Sequence, residues 1–458
     1  MPRTYDNRQH ISIAVFFTLY LWSGAASAVP DGGQLDIDTA VGLARMNAAA
    51  MRLADVNTQA KKEFLEAAER GGRPVLSADA TVLYGSGEPT SFFAAQQITE
   101  PGEPSLRAID GSYVSGTLAL TVPIYQHGAL FNYHSPAVRL AEGAFGKARW
   151  DQAGQAAETA YQVAATFINA SAAGKIAELH RSARDKKSQR LRYIKSRVQA
   201  RLATRSDELL AGAALAFSEA ELNAAIRKND FLRLQLATQV GLERDALPPL
   251  ADLADDPPVP PPIEWFIKEI NESQPDIRSQ EAAVLMARAD LAGVRSETLP
   301  TLSLNASSTA ARNPDESTSL QFRSAWLRLS MPLLDFGQSS SKVSARRLEL
   351  QASQERLRLT RETAIENVYA AYFGMLDAGD KARAAQAAAR QAMHQEQQSL
   401  ARHDSGILGL DVLAQDEAAS LTARIELIKS RSAAWQTYAE LQKTVGKAFT
   451  SRMQVESP

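Results

Sequence analysis

The sequence predicts a mainly α-helical chain with a β-barrel portion and an internal structural repeat. Three observations carry that prediction. The segment LALTVPIYQHG (residues 118–128) is answered by LRLSMPLLDFG (327–337), with prolines 123 and 332 and glycines 128 and 337 both 209 positions apart. Four segments alternate apolar and polar residues with a period of two, as half-buried strands do. Long stretches almost free of proline place apolar residues at helical spacing.

Taken in order, the chain opens with Arg3 and Arg8 ahead of the apolar run ISIAVFFTLYLW (11–22), then Ala26-Ser27-Ala28 before Val29. This is the pattern of a secretory signal peptide, assigned to residues 1–28. The run is shorter than the roughly 20 apolar residues a spanning helix needs. No unbroken apolar stretch of about 18 residues follows, so the exported chain is expected not to cross a bilayer as helices.

The first repeat is assigned to residues 29–244 and the second to 265–449. NAAAMR (47–52) matches SQPDIR (273–278), and RPVLSADATV (73–82) matches LPTLSLNASS (299–308), both 226 positions apart. Gly241 in TQVGLE is answered by Gly446 in KTVGKA. Each unit therefore reads as a helix, two strands, a long helical hairpin and a closing glycine. DALPPLADLADDPPVPPPIE (245–264) is a proline-rich linker that cannot continue a helix, and residues 450–458 form a tail. Asp255 and Asp256 in the linker are expected to be solvated.

In the strands, Leu76, Ala78, Ala80, Val82 and Tyr84 alternate with Ser77, Asp79 and Thr81. Leu302, Leu304 and Ala306 alternate with Ser303, Asn305, Ser307 and Thr309. Before the prolines, Val114, Leu118, Leu120 and Val122 oppose Ser115, Thr117, Ala119 and Thr121; Leu327, Leu329 and Met331 oppose Arg328 and Ser330. Such strands suit either a soluble sheet with one wet face or a membrane barrel that is apolar outside and polar inside. Export, and an apolar face with no second sheet to cover it, favour the barrel. Arg328, mid-strand in the polar phase, is then a barrel-lumen residue; facing lipid it would cost about 2–4 kcal/mol.

From Gly337 to about His403 there is no proline, and Val343, Leu350, Leu357, Ala364 and Ala371 recur every seven residues. That spacing lets helices supercoil. Some 65 such residues reach about 100 Å, beyond any compact domain. On the return, Leu421, Ile425, Ile428, Ser432, Trp435 and Ala439 keep the rhythm. Pro123 and Pro332 are expected to end their strands by removing a ladder donor, and Gly128 and Gly337 to turn the chain into helix. These four residues mark the strand-to-helix junctions.

The composition is that of a globular chain: 45% hydrophobic, 22% charged, net charge −2 and no cysteine. That excludes disulfides, thiol catalysis and thiolate zinc sites. No basic stripe marks a nucleic-acid binder. The six histidines show no metal-protease spacing, and no catalytic motif is present, so neither an enzyme nor a cofactor is expected. Four strands leave two open edges, and unpaired backbone in hydrocarbon costs several kcal/mol per group. A lone copy cannot close and is expected to oligomerise.

These residues resemble the TolC-type outer-membrane efflux family. The resemblance rests on the two P-x-x-x-x-G junctions, on LPTLSL (299–304) and on GILGLDVLAQDEAASL (406–421), which is similar to the family's periplasmic helix turn. It implies a homotrimer: a twelve-stranded barrel in the outer membrane of a Gram-negative bacterium, continuous with a helical α-barrel crossing the periplasm. It further implies an exit channel for small molecules or secreted substrates, a periplasmic adaptor as partner, and an inner-membrane pump of the RND or ABC type that chooses the cargo. Gly406, Leu410 and Leu413 fall in the turn that would meet the adaptor. Asp411 falls where the family places an acid at the periplasmic tip, so three copies would form a gating carboxylate ring; it equally fits a helix-start acid stabilised by the macrodipole. Asp416 and Glu208 are lesser gate candidates. The first repeat departs from the pattern at ARLATRSDELLAGAALA (200–216), which has no counterpart of Gly406. The competing reading is a soluble periplasmic coiled-coil scaffold or adaptor.

Overall fold

A computed structural model describes residues 33–87, 109–243, 247–312, 319–405 and 407–451. Residues 1–32 with the signal-peptide segment, 88–108 with Phe92 and Phe93, 244–246, 313–318, Gly406 and residues 452–458 lie outside the described residues.

The element order is α1 (Ile37–Asn47), α2 (Ala49–Arg70), β1 (Val75–Gly87), β2 (Ile109–Gln126), β3 (Ala129–Leu130), α3 (Pro136–Gln199) and α4 (Arg205–Val240). There follow α5 (Ile263–Ser273), α6 (Pro275–Ser296), β4 (Thr301–Arg312), β5 (Ser319–Ser330), α7 (Gln338–Asp404) and α8 (Leu410–Thr444). Each half thus runs through two short helices, two main strands and two long helices.

The 67 residues of α7 and 64 of α3 make rods of about 100 Å at 1.5 Å per residue. The buried stripe of α7 passes through Leu350, Ser353, Leu357, Ala364, Val368, Ala371, Met375, Ala378, Ala382, Ala389 and Ser399. Alternating steps of three and four keep that seam facing one neighbour, as a seven-residue repeat requires. Its lower part is alanine and serine, so the partner helix can come close.

The return helices are shorter than a simple hairpin predicts. The 36 residues of α4 and 35 of α8 cover only about half of each rod. The other half is covered by the 22-residue helices α2, against α3, and α6, packed between α3 and α7. Among the described residues α4 is the one helix long and apolar enough to cross a membrane, with a mean hydropathy of 1.3 over its best window. The sequence criterion missed it because scattered polar residues interrupt the run. It lies along α3 for its length and is part of the rod.

The core sits at mid-rod, where α1, α5 and the linker wrap the long helices. Leu35, Ile37, Phe167, Leu236, Phe266, Ile270 and Tyr438 are fully buried there. Burial pushes the Tyr438 phenol up to about 12; its hydroxyl donates to the Thr450 carbonyl at 3.3 Å. The linker is pinned to the rods, while Asp255 and Asp256 within it stay exposed as expected. The Leu35 amide donates to the Pro249 carbonyl and the Ala251 amide to the Leu35 carbonyl, both at 2.8 Å, the Trp435 indole donates to the Ala254 carbonyl at 2.9 Å, and Arg431 pairs with Asp255 at 2.7 Å. Proline fixes the backbone of such a segment in advance, which lowers the entropy lost in pinning it.

Phe167→Ala opens a cavity where α1, α3 and α8 meet and should cost about 3–5 kcal/mol. Chemical denaturation of the purified protein, followed by helical circular dichroism, measures the shift.

Candidate functional site: the bare sheet and the helical tip

The four main strands form one antiparallel sheet in the order β1-β2-β4-β5. Its register aligns Leu76 with Leu120, Ala78 with Leu118, Val122 with Leu304 and Leu304 with Leu327, so one face is a continuous apolar surface. Leu118 remains 54% and Leu329 71% exposed, because among the described residues no helix packs on either face of the sheet. The opposite face is polar and hydrogen-bonded across strands. Thr117 meets Thr309 at 3.0 Å, Thr121 donates to Asn305 at 3.2 Å, and Ser307 meets Ser324 at 3.0 Å. On the inner strands the polar residues are the more occluded set and the leucines the more open one, the reverse of a sheet in water.

Two details depart from the sequence reading. Phe322 and Trp326 lie in the polar phase of β5, while Arg312, the last residue of β4, and Arg323, opposite Ser308, lie in the apolar phase. At a strand end a guanidinium can snorkel out of an apolar band. Arg328 is on the polar face as expected, but opposite Ser303 near the root of β5 instead of mid-strand.

The junctions also differ from the expectation. Pro123 does not end β2: the strand continues to Gln126 past a bulge, where Ile124 is skipped in the pairing with β4 and its carbonyl accepts from the Phe131 amide at 2.9 Å. A bulge is one of the places where a sheet tolerates proline. His127 (φ 51°) and Gly128 (φ 76°) then form a two-residue hairpin turn closed by the Gln126–Ala129 pair. Helix α3 starts only later, capped by Ser135, which accepts from the Val138 amide at 3.3 Å. The second junction behaves as expected. β5 ends at Ser330 before Pro332, and Gly337 (φ 90°) is the residue that caps α7. Asp335 accepts from the amides of Gly337 (3.1 Å) and Ser339 (2.8 Å). The Ser339 hydroxyl and those amides hold its carboxyl below the usual carboxylate range. Leu130, Phe131, Tyr133, Leu333, Leu334 and Phe336 project from this root as an exposed apolar collar. Sequence periodicity missed the collar because these residues lie in turns.

At the far end of the rods, α3 closes with a Schellman arrangement: the Leu202 amide donates to the Arg197 carbonyl at 2.8 Å and the Arg201 amide to the Val198 carbonyl at 3.0 Å. Arg201, at φ 61°, fills the left-handed position usually given to glycine. Thr204 and Asp207 form a capping box on α4, whose hydrogen bonds lower the Asp207 carboxyl. Glu208 is held by Arg205 at 2.5 Å.

In the second tip Asp416 accepts from Ser399, which ties α8 to α7. Asp411 lies in the first turn of α8, exposed, with its carboxylate folded over Gly409 and no ion-pair partner among the described residues. Leu410 is half-buried and Leu413 only 1% exposed. Leu413 therefore belongs to the hairpin seam and presents no surface to a partner, a correction to its expected role. Ile407 and Val412 are the exposed apolar residues there; on the first tip they are Leu202, Leu209, Leu210 and Phe217.

Above the tips the hairpins are clamped together by Lys186–Glu396 at 2.7 Å and Arg190–Glu417 at 2.6 Å. Burial works to raise the Glu396 carboxyl, but Lys186 and Arg424 outweigh it and the net direction is down.

The described sheet is thus bare on its apolar face, rooted in a collar and continued by rods longer than a bilayer is thick. Residues 266–447 match the model of the outer membrane efflux protein family. No curated protein sequence matches the chain. Among solved structures, the CmeC outer membrane channel of Campylobacter jejuni aligns with a TM-score of 0.75 at 15% identity, over 91% of this chain and 87% of that one. VceC of Vibrio cholerae gives 0.70 at 15%, over 90% and 97%. The MtrE outer membrane channel of Neisseria gonorrhoeae, in its open state, gives 0.67 at 16%, over 90% and 89%. At those identities the likeness is one of fold.

Two outcomes test the tip. Arg201→Gly relieves a left-handed non-glycine residue and should stabilise by about 1 kcal/mol, read as a higher denaturation midpoint. Glu396, with a lowered folded-state pKa, contributes fully above its ordinary value of 4.5 and loses that contribution as the pH falls through the lowered one. Glu396→Gln should therefore flatten the acid limb of the stability–pH curve below about pH 4.5.

Proposed function

We propose that the protein is an outer-membrane exit channel that works as a homotrimer, with three four-stranded sheets closing one twelve-stranded barrel and the rods forming an α-barrel through the periplasm. The observation that carries this reading is the bare apolar face of the sheet. Leucine and valine side chains on the strands have no covering layer among the described residues, and apolar-out, polar-in strands of this length suit a lipid-embedded cylinder with a wet lumen. The soluble-scaffold alternative leaves that surface in water.

The same geometry favours closure by further copies. The edge strands β1 and β5 run in opposite directions, so identical sheets can join head to tail with antiparallel seams. Helix α4 is exposed along most of its apolar surface, with 11% of its best window buried, which suits packing against a neighbouring rod. Export of small molecules or secreted substrates would be driven by an inner-membrane pump of the RND or ABC type through a periplasmic adaptor. The adaptor would meet the exposed apolar residues of both tips, Ile407 and Val412 beside Leu202, Leu209 and Leu210. Gly406, in the same turn, lies outside the described residues.

For the gate, Asp411 is the preferred candidate, because Glu208 and Asp416 are already engaged by Arg205 and Ser399. Three Asp411 carboxylates around an axis would attract cations and repel anions at the narrowest point.

Purified protein in planar bilayers should show cation-selective steps of low conductance. Asp411→Ala should weaken that selectivity while leaving the trimer intact on a sizing column in detergent. Unchanged selectivity removes Asp411 from the gate. Absence of any insertion contradicts the channel itself.

A further inference from the structure

The sheet carries information about its own partner. Among the described strand residues, two on the polar face are charged, Asp79 on β1 and Arg328 on β5. They have opposite signs and sit on the two opposite edges. Both are exposed, and neither has an ion-pair partner among the described residues. Two edge charges of opposite sign on one face are complementary only when the edge of one copy meets the other edge of the next.

The register of that meeting can be derived. The sequence offsets between the halves are 226 for the first strand of each pair (300 − 74) and 209 for the second (332 − 123). Applied to the observed pair Val75↔Thr121, they give Thr301↔Ser330, the pair observed between β4 and β5. The offsets therefore carry one register onto another without slip. The β2–β4 pairing joins the two halves within a chain, with Thr121↔Asn305 and Ala119↔Ser307. Moving β2 forward by 209 and β4 back by 226 turns these into Ser330↔Asp79 and Arg328↔Thr81.

We propose that β5 of one copy pairs antiparallel with β1 of the next in this register, so that Arg328 and Asp79 form an ion pair across each seam on the polar face. The inference rests on the trimeric reading above and names the surface and partner that complete it. Parity supports it: a shift of one residue would set the polar phase of one strand against the apolar phase of its neighbour. In the derived register Leu329 meets Ala80 on the apolar side while Arg328 and Asp79 are diagonal neighbours on the polar side, within reach of a long side chain. The seam would also satisfy the open backbone edges that lipid does not tolerate.

Because the natural chain has no cysteine, paired cysteines report the seam without background. Three double variants are compared in the full-length protein in detergent: Ala80→Cys with Leu329→Cys, and Ala80→Cys with either Leu327→Cys or Met331→Cys. Under mild oxidation or a short bismaleimide, the first should yield covalent dimers and trimers at least tenfold faster than the other two. A faster reaction in either shifted pair, or no product from any pair while the wild type is trimeric, overturns the seam. A wild type that is monomeric by light scattering overturns the trimeric reading instead, and the seam with it. The ion pair is read separately. Asp79→Arg should lower the temperature at which detergent-resistant trimers dissociate, and adding Arg328→Asp should restore it. A double variant no better than the single one contradicts the pair.

Discussion

The structure turns on a sheet that no other described element covers. In water, period-two strands bury their leucines and expose their threonines; here Leu76, Leu118, Leu327 and Leu329 stand open while Thr117, Thr121, Asn305 and Ser307 are the occluded, hydrogen-bonded set. Exposing several hundred Å² of contiguous apolar surface is a liability for a soluble monomer. The same surface stabilises a protein in hydrocarbon. Strand edges with free amides cannot rest against lipid, which is the reason the proposed barrel closes through further copies.

The helical part answers a different constraint. Rods of about 100 Å cannot be held by a central core, so α3 and α7 depend on continuous seams of small residues along their length. The thick, aromatic core around Phe167, Trp435 and Tyr438 occurs once, at mid-rod, where α1, α5 and the pinned linker add a girdle. Below it the packing thins to Ala378, Ala382 and Ala434, and ion pairs such as Lys186–Glu396 join one hairpin to the other.

Much of this was legible in the sequence because strands and supercoiled helices impose strict periods. The alternation at 76–82, 114–122, 302–309 and 327–330 fixed which residues share a face, and the heptads of α7 anticipated its seam. What escaped was set by backbone conformation and by contacts distant in sequence. Nothing local signals that Pro123 sits in a bulge, or that His127 and Gly128 turn into a small hairpin before α3. Splitting the outer tracks into α2–α4 and α6–α8 depends on packing against α3 and α7. Leu413 was misplaced because a tip leucine reads the same whether it faces a partner or the seam, and Asp79 and Arg328 acquire meaning only when the register sets them on opposite edges of one face.

The central claim is that the leucine face meets lipid and the threonine face meets water. Single cysteines at Leu118 and Thr117, adjacent on β2 and opposite in phase, can carry an environment-sensitive fluorophore in protein reconstituted into vesicles. The label at 118 should be quenched by brominated lipid chains and shielded from aqueous iodide, with the inverse at 117. The reverse pattern, or equal access of iodide to both positions, would contradict the account.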